Sequence, residues 1–348
     1  MGLIVSAYTV KNTVDNNKKV FIIAEAGINH NGSVSLAKKM VDAVKTAGAD
    51  CIKFQTFKTE EFVSDRSLKY TYRSQGRKIT ESQCEMFKRC EFSTNNWKKI
   101  IDYCQKKDVV FSTTAQNLSD LDLILSLIDM PFIKVGSDDL TNLDLMAAYA
   151  KKGRPMVISA GMAYAGEIED AVLTIRKAGN NDISVLHCIS SYPTIAEEVN
   201  LKKIPMIRDC FGVRVGFSDH TVGSAAAIGA VCYGATIIEK HFTLDHDLPG
   251  PDHWFSLDPE ELKTYIEGIR FIEKALGNPV LRPTKKEISM RLIARRSIVA
   301  KTNIHKGEII ISDKIEFKRP GTGISPRFKK YVINKISKKN YKSGDLIK

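Results

Sequence analysis

The sequence of 348 residues has no apolar run long enough to cross a membrane. None of its hydrophobic segments reaches the roughly 18 consecutive residues that a spanning helix needs. The amino terminus is polar, with KNTVDNNKK at 11–19, and it does not resemble the apolar core of a secretory signal peptide. We therefore expect a cytoplasmic protein with no membrane partner.

The seven cysteines lack the spacing of a metal or redox motif. No two of them form a CxxC pair, and their number is odd. Metal-binding and disulfide frameworks use paired or regularly spaced cysteines, and cytosolic proteins keep their thiols reduced. We therefore predict free thiols.

Acidic residues are scarce in the last part of the chain. From Arg282 to Lys348 there are 19 Lys and Arg against five Asp and Glu, whereas the remainder holds 33 against 35. A basic segment of this kind can bind nucleic acid. It contains no aromatic-interleaved or arginine-rich motif of the sort that nucleic-acid-binding modules use. We therefore expect no nucleic-acid partner, and we expect these cations to face solvent or to attract an anionic substrate.

Short apolar segments with the pattern of buried β-strands recur along most of the chain. Helix-like segments with apolar residues at three- and four-residue spacing lie between most of them, for example SLAKKMVDAVKTAGA at 35–49. From the third segment onward, successive segments begin 23 to 30 residues apart, which is typical of repeated strand–helix units. Eight such units predict an α/β fold, a (β/α)8 TIM barrel. The segments are VFIIAEAG (20–27), CIKFQTF (51–57), VVFSTT (109–114), FIKVGS (132–137), PMVISAG (155–161), ISVLHCIS (183–190), VRVGFSDH (213–220) and TIIEKHFT (236–243).

One connection of this predicted barrel is too long for a single crossover. It covers 58–108, between the second and third strand segments. We predict an insertion there, with an exposed loop at TYRSQGRK (71–78) and at least one extra helix.

The chain also divides into two predicted domains. The helix PEELKTYIEGIRFIEKALG closes a barrel domain at 1–276, which includes an N-terminal cap with the strand-like run LIVSAYTV. Gly and Pro then mark a linker at 277–287. Residues 288–348 alternate turns with short β-like pieces, RSIVAKTNI, IIISDKIEFK and KYVINKI, and predict a small, mostly β domain.

Polar side chains recur at the carboxyl ends of the predicted strands, which form the working rim of a TIM barrel. Residues two positions apart on a strand share a face, so the polar pairs within one strand point the same way. One inward lysine can be a structural ion-pair partner, but two lysines with hydroxyls from several strands predict a cradle for the phosphate and carboxylate of a small anion. The rim residues are Glu25, Lys53, Gln55, Thr113, Thr114, Lys134, Ser137, Ser159, Ser190, Tyr192, Ser218, His220, Glu239 and His241.

Two of these rim residues are histidines at the ends of the last two predicted strands. His220 and His241 lie 21 residues apart on sequential parallel strands, so their imidazoles can lie side by side. A single buried histidine is more often a hydrogen-bonded core residue than a ligand. A pair at two strand ends, with Glu25, Glu239 and Asp252 close by, favours a divalent metal site with open positions for substrate and water.

Six motifs in this chain resemble the sialic acid synthase family. That family makes nonulosonic acids by condensing phosphoenolpyruvate with a hexosamine. The resemblance covers nearly the whole chain, and the C-terminal part is similar to the antifreeze-like (SAF) domain of these enzymes. It therefore implies a transferase built from a TIM barrel and a SAF domain. The motifs are FIIAEAGINHNG (21–32), KFQTFK (53–58), GFSDHT (216–221), EKHFT (239–243), GPDHWFS (250–256) and RPGTGI (319–324).

The resemblance implies roles for the rim residues. His220 and His241 would hold a divalent cation, with Mn2+ expected first and Mg2+ or Co2+ as alternatives. Arg319 would reach the site of a partner subunit, because these enzymes form domain-swapped homodimers. Glu25 and Gln55 would act in catalysis near the reacting carbons. Tyr192 and Asp252 would line the sugar pocket, and Glu239 is also implied to bind substrate. The residues implied to bind phosphoenolpyruvate are Lys53, Thr113, Lys134, Ser137, Ser159, Ser190 and Ser218.

The implied reaction forms a carbon–carbon bond. The cation polarises the sugar aldehyde, C3 of phosphoenolpyruvate attacks it, water adds at C2, and phosphate leaves by C–O cleavage. Glu25 is the expected general acid or base, because it is the carboxylate most directly opposed to the histidine pair.

The acceptor sugar stays open between two candidates. We expect N-acetylmannosamine, which gives N-acetylneuraminate; the alternative is 2,4-diacetamido-2,4,6-trideoxymannose, which gives N,N'-diacetyllegionaminate. Two departures bear on this choice: Asp138-Asp139 follows Gly136-Ser137 where many members read GSGE, and Ser190 stands where Asn is common.

Two other functions compete with this interpretation. One is another phosphoenolpyruvate-condensing aldolase on the same barrel, acting on a sugar phosphate, but such enzymes lack a SAF-like domain. The other is a non-enzymatic binding protein that uses the basic C-terminal segment, but such a protein has no need for two lysines and a histidine pair inside a barrel.

Overall fold

The computed structural model describes residues 19–348, which divide into two compact units after Gly277. The predicted N-terminal cap strand lies outside the described residues. Within 19–348, no helix is both long and apolar enough to span a membrane. The predicted positions of the domain boundaries at 276 and 287 stay predictions.

A closed parallel barrel forms the first unit. Eight strands pair in the order β1-β10-β9-β8-β7-β6-β5-β2, and each of them overlaps one of the eight predicted segments. The predicted TIM barrel is therefore confirmed. In chain order the strands of this unit are β1 (Phe21–Gly27), β2 (Cys51–Thr56), β3 (Lys69–Ser74), β4 (Arg77–Ser82), β5 (Val110–Ala115), β6 (Ile133–Val135), β7 (Met156–Ser159), β8 (Ile183–Cys188), β9 (Arg214–Asp219) and β10 (Ile237–His241).

Helices surround the barrel and bury their apolar stripes against it. In the first of them, Ser33 caps the amino end by accepting from the Leu36 amide, and Gly48 ends it with a φ of 84°. Between these caps Met40, Val41 and Val44 face the strands. The helices are α1 (Val34–Ala47), α2 (Thr59–Phe62), α3 (Gln83–Cys90), α4 (Thr94–Lys107), α5 (Leu118–Leu127), α6 (Leu143–Ala150), α7 (Ala165–Lys177), α8 (Ala196–Val199), α9 (Lys203–Phe211), α10 (Ala225–Cys232) and α11 (Pro259–Leu276).

A cluster of apolar side chains, here called the plug, fills the part of the barrel interior nearer the amino ends of the strands. Several of its members lie two positions before a polar rim residue on the same strand, as Ile23 does before Glu25 and Cys51 before Lys53. Strand alternation therefore points both sets inward and puts the polar set nearer the carboxyl ends. The plug consists of Phe21, Ile23, Cys51, Phe132, Val157, Leu186 and Ile237.

The insertion after β2 contains a β-hairpin where the sequence predicted an exposed loop. Strands β3 and β4 pair antiparallel, and Gln75 and Gly76 form the turn with φ of 49° and 74°. Two successive positive φ values give the turn whose twist matches a tight hairpin. The hairpin contacts the loop after β10, because the Gly250 amide donates to Ser74 Oγ at 3.1 Å. The loop prediction is wrong, whereas the predicted extra helix is confirmed by α2, α3 and α4.

The second unit is small and has its own core. Strands β11 (Ser297–Ala300) and β12 (Ile315–Lys318) pair antiparallel, and isolated bridges join further segments. Ile298, Ile304 and Tyr341 belong to the buried apolar cluster of this unit. The predicted β piece KYVINKI is wrong in its first half, which forms the short helix α13 (Lys329–Val332). The unit also contains α12 (Lys285–Ala294), and the predicted small β domain is confirmed.

Candidate active site

The carboxyl ends of the barrel strands surround a cavity of about 570 Å³. Every strand of the barrel, or the loop directly after it, contributes a polar side chain. Of the residues predicted for this site, the cavity is lined by Glu25, Lys53, Gln55, Lys134, Ser137, Ser159, Ser190, Tyr192, Ser218, His220, Glu239, His241 and Asp252. Thr113 and Arg319 are not among them.

Four buried charges form a network at the floor of this cavity. Lys53 contacts Glu25 directly, and its Nζ lies 3.7 Å from Glu239 Oε2. Lys134 Nζ lies 3.5 Å from Glu239 Oε1. The desolvation of each charge is costly by itself, and the alternation of signs offsets it. Two cations are thereby held inside the barrel where an anionic substrate can reach them.

The two carboxylates of this network differ in their affinity for a proton. Burial raises the pKa of Glu25 to about 7, and the charge of Lys53 opposes that rise only in part. Burial also acts on Glu239, but the charges of Lys134 and Lys53 outweigh it and bring the pKa of Glu239 to about 2. Near neutral pH Glu239 therefore stays anionic, while Glu25 can accept or release a proton. Opposed environments of this kind separate acid–base groups from charge-stabilising groups.

Hydroxyl groups surround the two lysines. Lys53 Nζ donates to Thr114 Oγ1 at 2.9 Å, and Lys134 Nζ donates to Ser159 Oγ at 2.8 Å. Burial lowers the pKa of Lys134. These donors are of the kind that bind phosphate and carboxylate oxygens, and the predicted anion site stays a prediction.

The structure corrects the position predicted for Thr113. The register between β2 and β5 pairs Thr114 with Gln55 and Thr113 with Phe54. Phe54 packs in the layer between strands and helices, so Thr113 points the same way, and its Oγ1 lies 2.8 Å from Thr56 Oγ1. Thr113 therefore does not line the cavity, and Thr114 occupies the place predicted for it.

Gly161 is a site residue that sequence reasoning missed. A Cβ at this position would lie 2.5 Å from Ser190 Oγ and 2.7 Å from Ser137 Oγ. The Gly161 amide also donates to Ser137 Oγ at 2.9 Å. Any side chain at this position would therefore collide with both serine hydroxyls. The signal in the sequence was the glycine of ISAG, two residues after the rim residue Ser159. The same pattern is also typical of an ordinary strand end.

The two predicted metal ligands lie side by side at the cavity. The ring centroids of His220 and His241 lie 5.4 Å apart. The Nδ1–H of His220 donates to the Ile189 carbonyl at 2.7 Å, so Nε2 is an acceptor, and Ser218 Oγ lies 3.5 Å from it. Among residues 19–348, the buried Nδ1 of His241 has no hydrogen-bond partner. Burial lowers the pKa of both imidazoles, so both are neutral as ligands must be.

These observations fit a divalent cation. A buried polar atom without a partner calls for an explanation, and an ion explains it at His241. Two imidazoles with nearby carboxylates form a donor set that Mn2+ and Co2+ accept.

The mouth of the cavity has an aromatic and apolar wall. Tyr192 stacks beside His220 with ring centroids 4.2 Å apart and contacts Phe255 at 5.1 Å. Burial raises the pKa of Asp252, on the loop after β10, to about 6. The sequence did not predict the rest of this wall, half of whose apolar members come from the insertion after β2. Its apolar members are Ile28, Phe62, Tyr70, Met86, Phe87, Met162, Pro251 and Phe255.

Comparison with family models assigns both units. The model described as the NeuB family matches residues 40–280. The model described as the SAF domain matches residues 295–348.

Individual proteins with sequence similarity cover nearly the whole chain. It is 40% identical to the N,N'-diacetyllegionaminic acid synthase of Campylobacter jejuni, over 95% of this chain and 99% of that one. It is 35% identical to the human N-acetylneuraminate-9-phosphate synthase, over 86% and 82%. Among solved structures, the N-acetylneuraminic acid synthetase of Leptospira borgpetersenii in complex with citrate aligns with a TM-score of 0.70 and 34% identity, over 79% of this chain and 92% of that one.

Proposed function

Because the chain belongs to the NeuB family of phosphoenolpyruvate-condensing nonulosonic acid synthases, we propose that it joins phosphoenolpyruvate to an N-acylated mannosamine and water, releasing phosphate. One observation supports this most directly. The buried Lys53–Glu239–Lys134 arrangement and the histidine pair line one cavity. The reaction needs the two lysines to bind a small dianionic or trianionic substrate directly beside the histidine pair, where the aldehyde is polarised.

The lysines and their hydroxyl partners bind phosphoenolpyruvate. Lys53 with Thr114 and Lys134 with Ser159 provide two donor pairs, one for each anionic end of the substrate. Ser137, Ser190 and Ser218 add hydroxyl donors around them. An enol phosphate held by both ends has its C3 fixed in one direction, which lowers the entropic part of the barrier.

Glu25 acts as the general acid or base of the reaction. Its pKa of about 7 lets it exist in either form near neutral pH, which is the condition for general acid–base catalysis. Gln55 Nε2 lies 3.4 Å from Glu25 Oε1 and orients the carboxyl group. We assign to Glu25 the proton taken from the water that adds at C2.

His220 and His241 hold the divalent cation, for which Mn2+ is the expected ion and Mg2+ or Co2+ the alternatives. When bound, the cation supplies Lewis-acid polarisation of the acceptor aldehyde. Tyr192 and Asp252 bind the sugar, and Arg319 of a partner subunit in a domain-swapped homodimer contacts its N-acyl group.

Two acceptors deserve direct comparison. N-acetylmannosamine is the acceptor predicted from the sequence. The apolar side chains at the mouth, among them Met86, Tyr70 and Phe255, support 2,4-diacetamido-2,4,6-trideoxymannose as the second candidate. Its deoxy C6 methyl and its second acetyl methyl would gain from apolar burial.

A phosphate-release assay tests the proposal. The protein is incubated with phosphoenolpyruvate, Mn2+ and, one at a time, N-acetylmannosamine, its 6-phosphate and the diacetamido sugar. We expect phosphate only when an acceptor and the cation are both present, with one N-acyl sugar clearly preferred. Release that survives EDTA, or release that depends on a different sugar phosphate, contradicts the proposal.

Matched variants check the histidine pair in the same assay. His220→Ala or His241→Ala should abolish phosphate release and leave the thermal melting curve near that of the wild type. Loss of the folded state in both variants would support a core role for the histidines instead.

A further inference from the structure

A second buried ion pair lies behind the histidine pair, on the side of the strands that faces the helices. It joins Asp219 and Lys240, which the register of β9 and β10 places opposite each other. Lys240 Nζ lies 3.5 Å from Asp219 Oδ2. Asp219 is 0% exposed and Lys240 is 1% exposed. Neither side chain lines the cavity of the candidate active site.

Hydrogen bonds from three directions use both oxygens of this carboxylate. Tyr265, on α11, donates its hydroxyl proton to Asp219 Oδ2 at 2.8 Å. The Thr221 amide and hydroxyl both donate to Asp219 Oδ1, at 2.8 and 2.7 Å. Lys240 donates to the Thr221 carbonyl and lies over the Tyr265 ring, 5.7 Å from its centroid. The network therefore ties the ends of β9 and β10 to α11.

Each member of the ion pair directly precedes one histidine of the candidate metal site. Asp219 precedes His220, and Lys240 precedes His241. Side chains of successive strand residues point to opposite faces, so the outward ion pair and the inward histidines share the same two peptide units. A rotation of either strand end that moved the ion pair would also move an imidazole. Thr221, bonded to both charged groups, fixes the backbone on the other side of His220.

The contribution of this ion pair to folding stability does not explain its presence. Removing two charges from water costs several kcal/mol each, and apolar replacement of a buried pair is often neutral or stabilising. Charged side chains give each contact a defined direction, and apolar side chains do not. A cation site needs this, since metal–nitrogen distances tolerate deviations of only about 0.2 Å.

We propose that Asp219, Lys240 and Tyr265 form a positioning network that sets the separation and orientation of His220 and His241 for the cation. The proposal rests on the proposed cation site at the histidine pair. It concerns residues that contact neither the substrates nor the cation.

Binding of Mn2+ alone to the full-length protein tests this inference without any turnover. The free ion is counted by its EPR signal during a titration. Tyr265→Phe removes one hydrogen bond and no charge, and we expect it to weaken Mn2+ binding about three- to ten-fold. Asp219→Asn should weaken it about ten- to a hundred-fold, in the range seen when partners of metal ligands are removed.

Tyr149→Phe is the matched control. Tyr149 is also fully buried in the helix layer, and its hydroxyl donates to the Ala115 carbonyl at 2.9 Å, on β5. Both Tyr→Phe variants should lower the melting temperature to a similar extent. Only Tyr265→Phe should change the Kd for Mn2+.

The possible results separate this inference from the proposed function. Wild-type Mn2+ affinity in Tyr265→Phe overturns the positioning network while leaving the cation site intact. Equal weakening in both Tyr→Phe variants overturns it too, because a general loosening of the fold then explains the loss. Absence of Mn2+ binding by the wild type overturns the cation site and the network together. If Asp219→Asn does not fold, Tyr265→Phe decides the question.

Discussion

Glu25 and Glu239 occupy one cavity and contact the same lysine, yet they favour opposite protonation states. The difference follows from the number of cations near each. Glu239 lies within 4 Å of both Lys53 and Lys134, whereas Glu25 pairs with Lys53 alone. For Glu25, the negative charge of Glu239 adds to the effect of burial, and Lys53 with the more distant Lys134 does not offset the two; for Glu239, the two nearby cations do offset burial. Under the proposed function, the second lysine does more than bind substrate, because it also keeps Glu239 charged and leaves Glu25 as the group that exchanges protons.

Gly161 gives the sharpest test of the proposed anion cradle. A methyl group there would push apart the hydroxyls of Ser137 and Ser190, since its carbon would lie within 2.7 Å of both oxygens. Gly161 has no positive φ, so the clash alone decides the outcome. We expect Gly161→Ala to raise the KM for phosphoenolpyruvate about ten- to a hundred-fold, as small misplacements at reacting groups do. Steady-state kinetics with saturating acceptor measures this change.

The control for this variant lies five residues further along the chain. Gly166, in α7, has no heavy atom within 4 Å of the position of an added Cβ. Gly166→Ala should leave the KM for phosphoenolpyruvate unchanged and stabilise the helix slightly. If Gly161→Ala binds phosphoenolpyruvate as the wild type does, the serine hydroxyls do not form the anion site.

Strand periodicity explains how much of the site the sequence could predict. The alternation in β2, β9 and β10 fixed which residues face inward, and the cavity contains all of those predicted from these strands. In β5 two threonines are adjacent, so either face could be polar, and only the pairing with β2 selects Thr114 over Thr113. Register between strands is a tertiary property that one strand's own pattern does not contain.

The hairpin of β3 and β4 shows a different limit. Its strands are rich in charged residues and largely exposed, so they lack the half-buried alternation that identifies a strand. The turn at Gln75-Gly76 lacks the Asn-Gly or Asp-Gly pair that is the strongest hairpin signal. The wall residue Tyr70, on β3, was missed for the same reason.

Asp120 in the first turn of α5 makes stability depend on pH. It is buried, Asn117 Nδ2 donates to its Oδ2 at 3.0 Å, and its Oδ1 has no hydrogen-bond partner among residues 19–348. Burial raises its pKa to about 6. A raised carboxyl pKa means that the folded state prefers the protonated form, so stability is lost as pH rises from about 4 through about 6. Asp120→Asn should therefore stabilise the protein at pH 8 by about 1 kcal/mol, reduced by the lost attraction to the helix amino end.

Urea unfolding at two pH values measures this effect. The stabilisation by Asp120→Asn should be present at pH 8 and small at pH 4.5, where the wild-type carboxyl is mostly protonated in the folded state. Asp102→Asn, at an exposed position of α4, should change stability at neither pH. An equal gain at both pH values would show that the side-chain amide acts through packing and not through charge.

The two units of the molecule differ in charge as well as in fold. The second unit carries the whole of the protein's excess of basic residues, because the first unit is slightly acidic. The sequence predicted both folds, because strand–helix repeats and short β pieces are local patterns. How a second unit completes the active site of another chain is not a local property, and the predicted role of Arg319 in a domain-swapped homodimer depends on it.

Complementation between two inactive variants tests that role. One variant, His241→Ala, keeps Arg319; the other, Arg319→Ala, keeps the histidine pair. In a domain-swapped dimer each mixed pair contains one site with both residues intact, so co-refolded equal mixtures should regain about one quarter of wild-type activity if subunits pair at random. Each variant refolded alone should stay inactive, and light scattering should report dimers in all three samples. A mixture that stays inactive while forming dimers means that Arg319 does not act from the partner chain, because only an arginine supplied by the partner can rescue the intact histidine pair. Full activity of Arg319→Ala refolded alone would show that Arg319 has no role in the reaction.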